Sequence, residues 1–239
     1  SEGYYPEQNG FDINIGGFEK GSPMGGYYSP YKNPKLEDGP EGEYLTDRLT
    51  DESISFLENQ SREQPFLLFL SFYNVHTPIQ PNLNHVEYYK NKLISSNKGE
   101  VMTSQEGDAI TVLNQVNYNY ASMVHAMDEN IGKLIESLKN QNLFENSLII
   151  FSSDNGGLTT QRRVAPTSVV PLRAGKGYLY EGGIRIPQLI KVPNQKSTKK
   201  INDVTVSQDL FPTILDYAGV KNKSQIDGKS LTPLLKNEG

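Results

Sequence analysis

The chain has 239 residues, 36% of them hydrophobic and 21% charged, and no cysteine. That is enough apolar material to bury a core, and the missing cysteine excludes disulfides, thiolate metal sites and a cysteine nucleophile within this sequence. A formal net charge of −5 argues against a general nucleic-acid binder, and no apolar run is long enough to cross a bilayer.

Residues 1–44 are rich in Gly, Pro, Tyr and Asn without a sustained period. They read as ordered loop, because tyrosine, of which the chain has 14, usually packs. A helix is predicted over about 46–60, with Leu49, Phe56 and Leu57 on its inner face. Phe66–Phe72 is the longest apolar run and reads as a buried strand. A short helix over about 84–94 and a polar loop over 95–108 follow. Val116, Tyr120, Met123, Val124, Met127, Ile131, Leu134, Ile135 and Leu138 recur at three and four, which predicts a helix over about 110–141 with one apolar stripe. His125 lies off that stripe and is expected at the surface. Ser147–Ser153 reads as a second buried strand, and 154–186 as a long loop punctuated by glycine. Gln188–Val192 reads as a third short strand. A last helix over about 210–218 has Asp209 as its N-cap, Pro212 in its first turn and Gly219 at its end.

Strands alternating with helices imply an α/β fold with a mostly parallel sheet sandwiched by helices. In such sheets, sites form where loops leave the carboxyl ends of strands. Two loops take that place, one carrying Tyr73-Asn-Val-His76 and the other Asp154-Asn155-Gly-Gly157.

Asp154 and Asn155 offer hard oxygen ligands, suited to calcium or magnesium rather than zinc or copper. The same tetrad is also the composition of an ordinary turn. His76 could donate a proton to a leaving oxygen or hydrogen-bond an anion; alone, it is equally a solvent-facing loop histidine. Lys176 stands between two glycines, which would let the backbone approach a ligand while one ammonium points inward. Charge is unevenly spread. Residues 1–60 hold twelve acids and four bases, whereas 162–185 hold Arg162, Arg163, Arg173, Lys176 and Arg185 against Glu181 alone. That local excess could receive a small anion, or be a solvated basic loop.

Together, Ser152-Ser-Asp-Asn-Gly-Gly157, Pro171-Leu-Arg-Ala-Gly-Lys-Gly177 and Glu181-Gly-Gly-Ile-Arg-Ile-Pro187 follow the order found in the type I, formylglycine-dependent sulfatases of the alkaline phosphatase superfamily. Tyr120–Asp128, Asp209–Gly219 and Asp227–Leu235 resemble that family's long helix, late helix and approach to its C-terminal subdomain, so the resemblance covers nearly the whole chain. It implies hydrolysis of sulfate esters of carbohydrates or aryl compounds, assisted by Ca2+. Asp154 and Asn155 would be two of the calcium ligands, Lys176 would contact the sulfate and the leaving oxygen, and His76 would contact the sulfate or protonate the leaving alcohol. Arg162, Arg163 and Arg173 would be candidates for contacting the sugar. Residues 9–33 resemble sulfatases of polysaccharide-degrading bacteria, which favours a sulfated carbohydrate and implies a periplasmic or secreted enzyme.

The departures are equally specific. The family nucleophile, a formylglycine made from Cys or Ser in a Cys/Ser-x-Pro-x-Arg motif, has no counterpart; Ser22-Pro-Met and Ser29-Pro-Tyr do not fit it. The resemblance therefore implies one partial catalytic domain over 1–239, with site-proximal loops in 1–44, the α/β core in 45–220 and a lead-in to a C-terminal subdomain in 221–239. Such a piece is expected to be inactive alone and to bind calcium weakly. The alternatives are a phosphatase or phosphodiesterase of the same superfamily, and a non-catalytic binding module that keeps the fold.

Overall fold

Phenol rings organise the opening segment of the chain. In the computed structural model, which describes residues 4–61, 63–97, 99–222 and 224–236, Tyr27, Tyr31, Leu36, Tyr44, Leu45 and Leu49 pack with Met123 and Ala126 into one core. Tyr27 and Tyr44 stack at 5.6 Å, and Tyr28 meets Tyr44 edge-on at 5.0 Å. Burying an aromatic ring stabilises by about 2–3 kcal/mol, provided its hydroxyl finds a partner. The Tyr44 and Tyr28 hydroxyls donate to the carbonyls of Gln80 (3.0 Å) and Pro81 (2.8 Å). The predicted ordered loop is thus tied to residues 73–81. Gly3 of the opening segment, and residues 223 and 237–239 of the C-terminal lead-in, lie outside the described residues.

The fold is α/β, and the chain divides into two compact units. The first comprises 1–141 with 154–186. Helix α1 (Leu45–Asn59) packs on α3 (Tyr118–Asn140). The buried face of α3 is formed by Ser122, Met123, Ala126, Asn130, Ser137 and Leu138. Asn130, fully buried, donates through Nδ2 to Asp47 Oδ1 at 2.7 Å. The predicted stripe is therefore only partly the packed one: Val124 is 38% exposed. Helix α2 (Val86–Ser96) lies two residues later than expected. His125 is half-buried, not at the surface; its ring stacks on His85 at 3.9 Å.

Residues 103–112 overturn two expectations. They form a hairpin of β1 (Thr103–Glu106) and β2 (Ala109–Val112), where the sequence suggests loop followed by helix. Gly107, at φ +60°, makes the turn, and the β-branched Ile110-Thr-Val112 run prefers extended backbone. Helix α3 starts only at Tyr118, where the Asn117 side chain accepts the Tyr120 amide at 3.0 Å. A third short strand, β4 (Thr160–Gln161), joins β2 antiparallel in the register Thr111↔Thr160.

Phe66–Phe72 enters no ladder among the described residues. It runs extended, with Leu70 and Phe72 against the tyrosine core and Leu67 and Phe69 56% and 76% exposed. A local apolar run supplies the side chains of a strand but not the neighbour that satisfies its backbone. The sequence implies a mostly parallel sheet, whereas the strand ladders among the described residues are antiparallel.

The second unit comprises 142–153 with 187–239. There β3 (Ile149–Ser152) pairs with β5 (Gln188–Lys191), and the ladder is antiparallel, from Ile149↔Lys191 to Ser152↔Gln188. The Lys191 ammonium donates to the carbonyls of Phe144, Glu145 and Ser147, closing the turn before β3. Helix α5 (Leu210–Tyr217) ends at Gly219, φ +70°, as expected. Asp209 does not cap it through its side chain; the carboxylate accepts the amides of Lys229 (2.8 Å) and Val206 (3.0 Å) instead. A short α6 (Thr232–Lys236) follows.

Candidate active site

The Asp154–Gly157 turn, residues 173–178 and the short helix α4 (Glu181–Ile184) are joined backbone to backbone. The Gly156 amide donates to the Gly183 carbonyl, the Lys176 amide to the Gly157 carbonyl and the Gly182 amide to the Arg173 carbonyl, each at 2.9 Å. Glycine is required at these crossings by proximity. A Cβ on Gly156 would lie 1.9 Å from the Gly182 oxygen, and one on Gly175 would lie 2.4 Å from the Gly157 oxygen. The sequence suggests that glycines beside Lys176 admit a ligand. Gly175 instead admits the neighbouring chain segment, which holds Lys176 at a fixed distance from Asp154 and Asn155.

Three buried threonines extend this scaffold. Thr159 donates through Oγ1 to the Ala174 carbonyl at 2.8 Å, Thr160 Oγ1 lies 3.2 Å from Thr159 Oγ1, and Thr111 Oγ1 lies 2.7 Å from Thr160 Oγ1. The relay runs from the hairpin to the Lys176 loop. Sequence reasoning passes it over, because Leu158-Thr-Thr160 reads locally as a polar tail of the glycine turn.

The Lys176 side chain is half-buried and makes no hydrogen bond or ion pair among the described residues, which leaves its ammonium available to an anion. The Asp154 carboxylate is exposed and likewise unpartnered among them. Asn155 donates through Nδ2 to the Gly156 carbonyl at 3.0 Å, and its Oδ1 is the acceptor end of the amide. A carboxylate oxygen and an amide oxygen are hard donors, of the type that a cation such as calcium takes. No group of three or more His, Cys, Asp or Glu side chains suited to a metal occurs among the described residues, so the remaining ligands of such an ion come from elsewhere.

The arginines are differently engaged. Arg173 donates to Glu106, Nη2 to Oε1 at 2.7 Å and Nε to Oε2 at 3.3 Å, and its guanidinium lies 3.9 Å from the Tyr180 ring centroid. The Arg173 guanidinium holds the Glu106 carboxyl below the usual carboxylate range, and Glu106 pushes Arg173 up. Arg162 pairs with Asp108 at 2.9 Å, an exposed contact. Arg163 is exposed. The hairpin carboxylates were not among the candidate residues; the signal for them was Glu106-Gly-Asp108, a turn between two four-residue runs with strand character.

His76 sits in a separately held loop, and no hydrogen bond or ion pair joins it to Asp154, Asn155 or Lys176 among the described residues. The fully buried Tyr27 hydroxyl lies 2.8 Å from the Tyr73 carbonyl and 2.9 Å from the His76 carbonyl, which share its proton. Asn74 donates through Nδ2 to the Met123 carbonyl at 3.0 Å and accepts the Thr46 hydroxyl at 2.5 Å. The Asn74–Val75 and Thr77–Pro78 peptides are cis. His76 Nδ1 is 2.9 Å from the Thr77 carbonyl. A carbonyl only accepts, so the proton sits on Nδ1 and Nε2 is the free ring nitrogen.

Residues 1–220 match the family model described as Sulfatase. The chain is 30% identical over 221 residues to a Sulfatase of Formosa agariphila, covering 86% of this chain and 36% of that protein. It is 29% identical over 208 residues to the N-acetylglucosamine-6-sulfatase of Bos taurus, covering 81% of this chain and 36% of that protein. The crystal structure of Ps i-CgsB in complex with k-i-k-neocarrahexaose superposes with a TM-score of 0.72 at 29% identity, covering 100% of this chain and 53% of that one. The chain thus spans just over a third of the length of these curated relatives.

Proposed function

Because the chain belongs to the sulfatase family, we propose that it forms part of a calcium-assisted sulfuric ester hydrolase acting on a sulfated carbohydrate. The observation that supports the reading is the backbone bond from Lys176 to Gly157, which ties the loop carrying this lysine to the turn that bears Asp154 and Asn155. The carbohydrate class rests on the names of the relatives, one a sulfatase of N-acetylglucosamine-6-sulfate and one a structure holding a neocarrahexaose.

Asp154 and Asn155 would hold the cation through carboxylate and amide oxygens. When bound, calcium draws in the sulfuryl oxygens and offsets the charge that builds on them. Lys176 supplies a second positive charge to the same oxygens and to the leaving oxygen. His76, with its Nδ1–H given to the Thr77 carbonyl, would act in its imidazolium form, delivering the second ring proton from Nε2 to the departing alcohol and leaving the neutral Nδ1–H imidazole. This sequence holds no Cys/Ser-x-Pro-x-Arg nucleophile motif, so the 239 residues alone are expected to release no sulfate.

The test is sulfate release from a chromogenic aryl sulfate and a panel of sulfated oligosaccharides by the longer protein carrying this chain, with and without calcium. The wild type is compared with Asp154→Ala and Lys176→Ala. Calcium-dependent release that both substitutions abolish supports the reading. Cleavage of phosphate esters in place of sulfate esters overturns it.

A further inference from the structure

We propose that Glu106, at the end of β1, is a positioning residue for the Lys176 loop, acting through Arg173; the proposal rests on the reading of Lys176 as a group that faces the sulfate. Arg173 stands three residues before Lys176, and its carbonyl accepts the Gly182 amide at 2.9 Å, closing the arc that carries the lysine. Its guanidinium spans the same arc from within, lying over the Tyr180 ring at 3.9 Å. Glu106 then fastens the closed arc to a distant part of the chain with a two-point fork, at 2.7 and 3.3 Å. Forked pairing fixes orientation as well as distance. The Glu106 side chain is only 20% exposed, so one end of the pair is shielded from water.

This engagement changes the role of Arg173. With Nε and Nη2 given to a carboxylate and one face given to a phenol ring, the guanidinium is held in one orientation. On the proposal, Arg173 sets where the Lys176 backbone stands.

The experiment uses Glu106→Gln, Arg173→Gln and the double variant in the protein carrying this chain. Amide hydrogen exchange at Lys176 and Gly182 is read beside kcat and KM for a sulfate ester, with the Leu57 amide in α1 as the unaffected control. Each single variant is expected to speed exchange at the two loop amides about three- to tenfold. Each should lower kcat while KM stays within about twofold of wild type. The double variant should be no worse than either single one, because both remove the same link. Arg173→Gln raising KM while Glu106→Gln changes nothing would make Arg173 a substrate contact and overturn the proposal. Wild-type exchange rates in Glu106→Gln would also overturn it. If the wild type releases no sulfate, the exchange rates still decide the role of Glu106, and only the sulfatase reading falls.

Discussion

The Lys176 amide donates to the Gly157 carbonyl across 2.9 Å, so the loop that carries this lysine is tied to the Asp154–Gly157 turn through backbone atoms. Charge and scaffold can therefore be separated. Lys176→Ala keeps the backbone amide and removes the side chain beyond Cβ, ammonium included. Thermal unfolding should be unchanged, whereas kcat for sulfate release should fall by about 10²-fold or more, the scale for losing one transition-state charge partner. A matching loss of stability would mean that the ammonium is structural.

Gly156→Ala tests the scaffold itself. The new Cβ would stand 1.9 Å from the Gly182 oxygen, a backbone atom that cannot swing away. We expect a loss of about 1–3 kcal/mol in denaturant unfolding, as for overpacking elsewhere, together with faster amide exchange at Gly183. An unaltered unfolding midpoint would contradict the close crossing.

Tyr27→Phe removes one hydroxyl and little volume. The carbonyls of Tyr73 and His76 lose the proton they share, and the cost should be about 1–2 kcal/mol. The His76 loop should loosen, seen as faster exchange at the His76 amide and a lower kcat. If the variant matched wild type in both readouts, the phenol would not be what holds that loop.

Acid pH should release a different tie. The amides of Lys229 and Val206 hold the Asp209 carboxyl below its ordinary value of 3.8. A depressed folded value means that the carboxylate contributes stability above the ordinary value and loses it as pH falls through the folded one. Asp209→Asn should therefore lower the melting temperature of the second unit by about 2–4 °C near neutrality. The gap between variant and wild type should close below pH 3.8. A gap that persisted in strong acid would point to a cause other than the charge.

Helices with long internal periodicity and the site motifs were legible in the sequence. Helix α1 came within a residue of its predicted bounds, and Gly219 ends α5 as expected. Asp154, Asn155 and Lys176 were identified in sequence and are joined through one backbone network. What failed was non-local. The hairpin at 103–112 was absorbed into a long helical pattern, because Ile110-Thr-Val112 is apolar enough to extend the stripe while Asn117 caps the real helix. Asp209 has the residue type of a cap, but the Val206 amide three residues before it and the Lys229 amide twenty residues after it take its carboxylate. The Glu106-Gly-Asp108 turn is visible locally, but the pairing of Glu106 with Arg173, 67 residues away, leaves no local trace.

The buried phenols make this protein a reporter of its own unfolding. It has no tryptophan, so its near-ultraviolet absorbance comes from tyrosine, with phenylalanine adding little. Burial pushes the Tyr27, Tyr31 and Tyr44 hydroxyls far above the usual phenol range. Their protonated form is the folded form, and the stability this gives is complete below pH 10 and drains as alkali rises. Their share of the phenolate signal near 295 nm should emerge only as the core opens. An alkaline spectrophotometric titration would then count the core rings directly, without a label or a substrate.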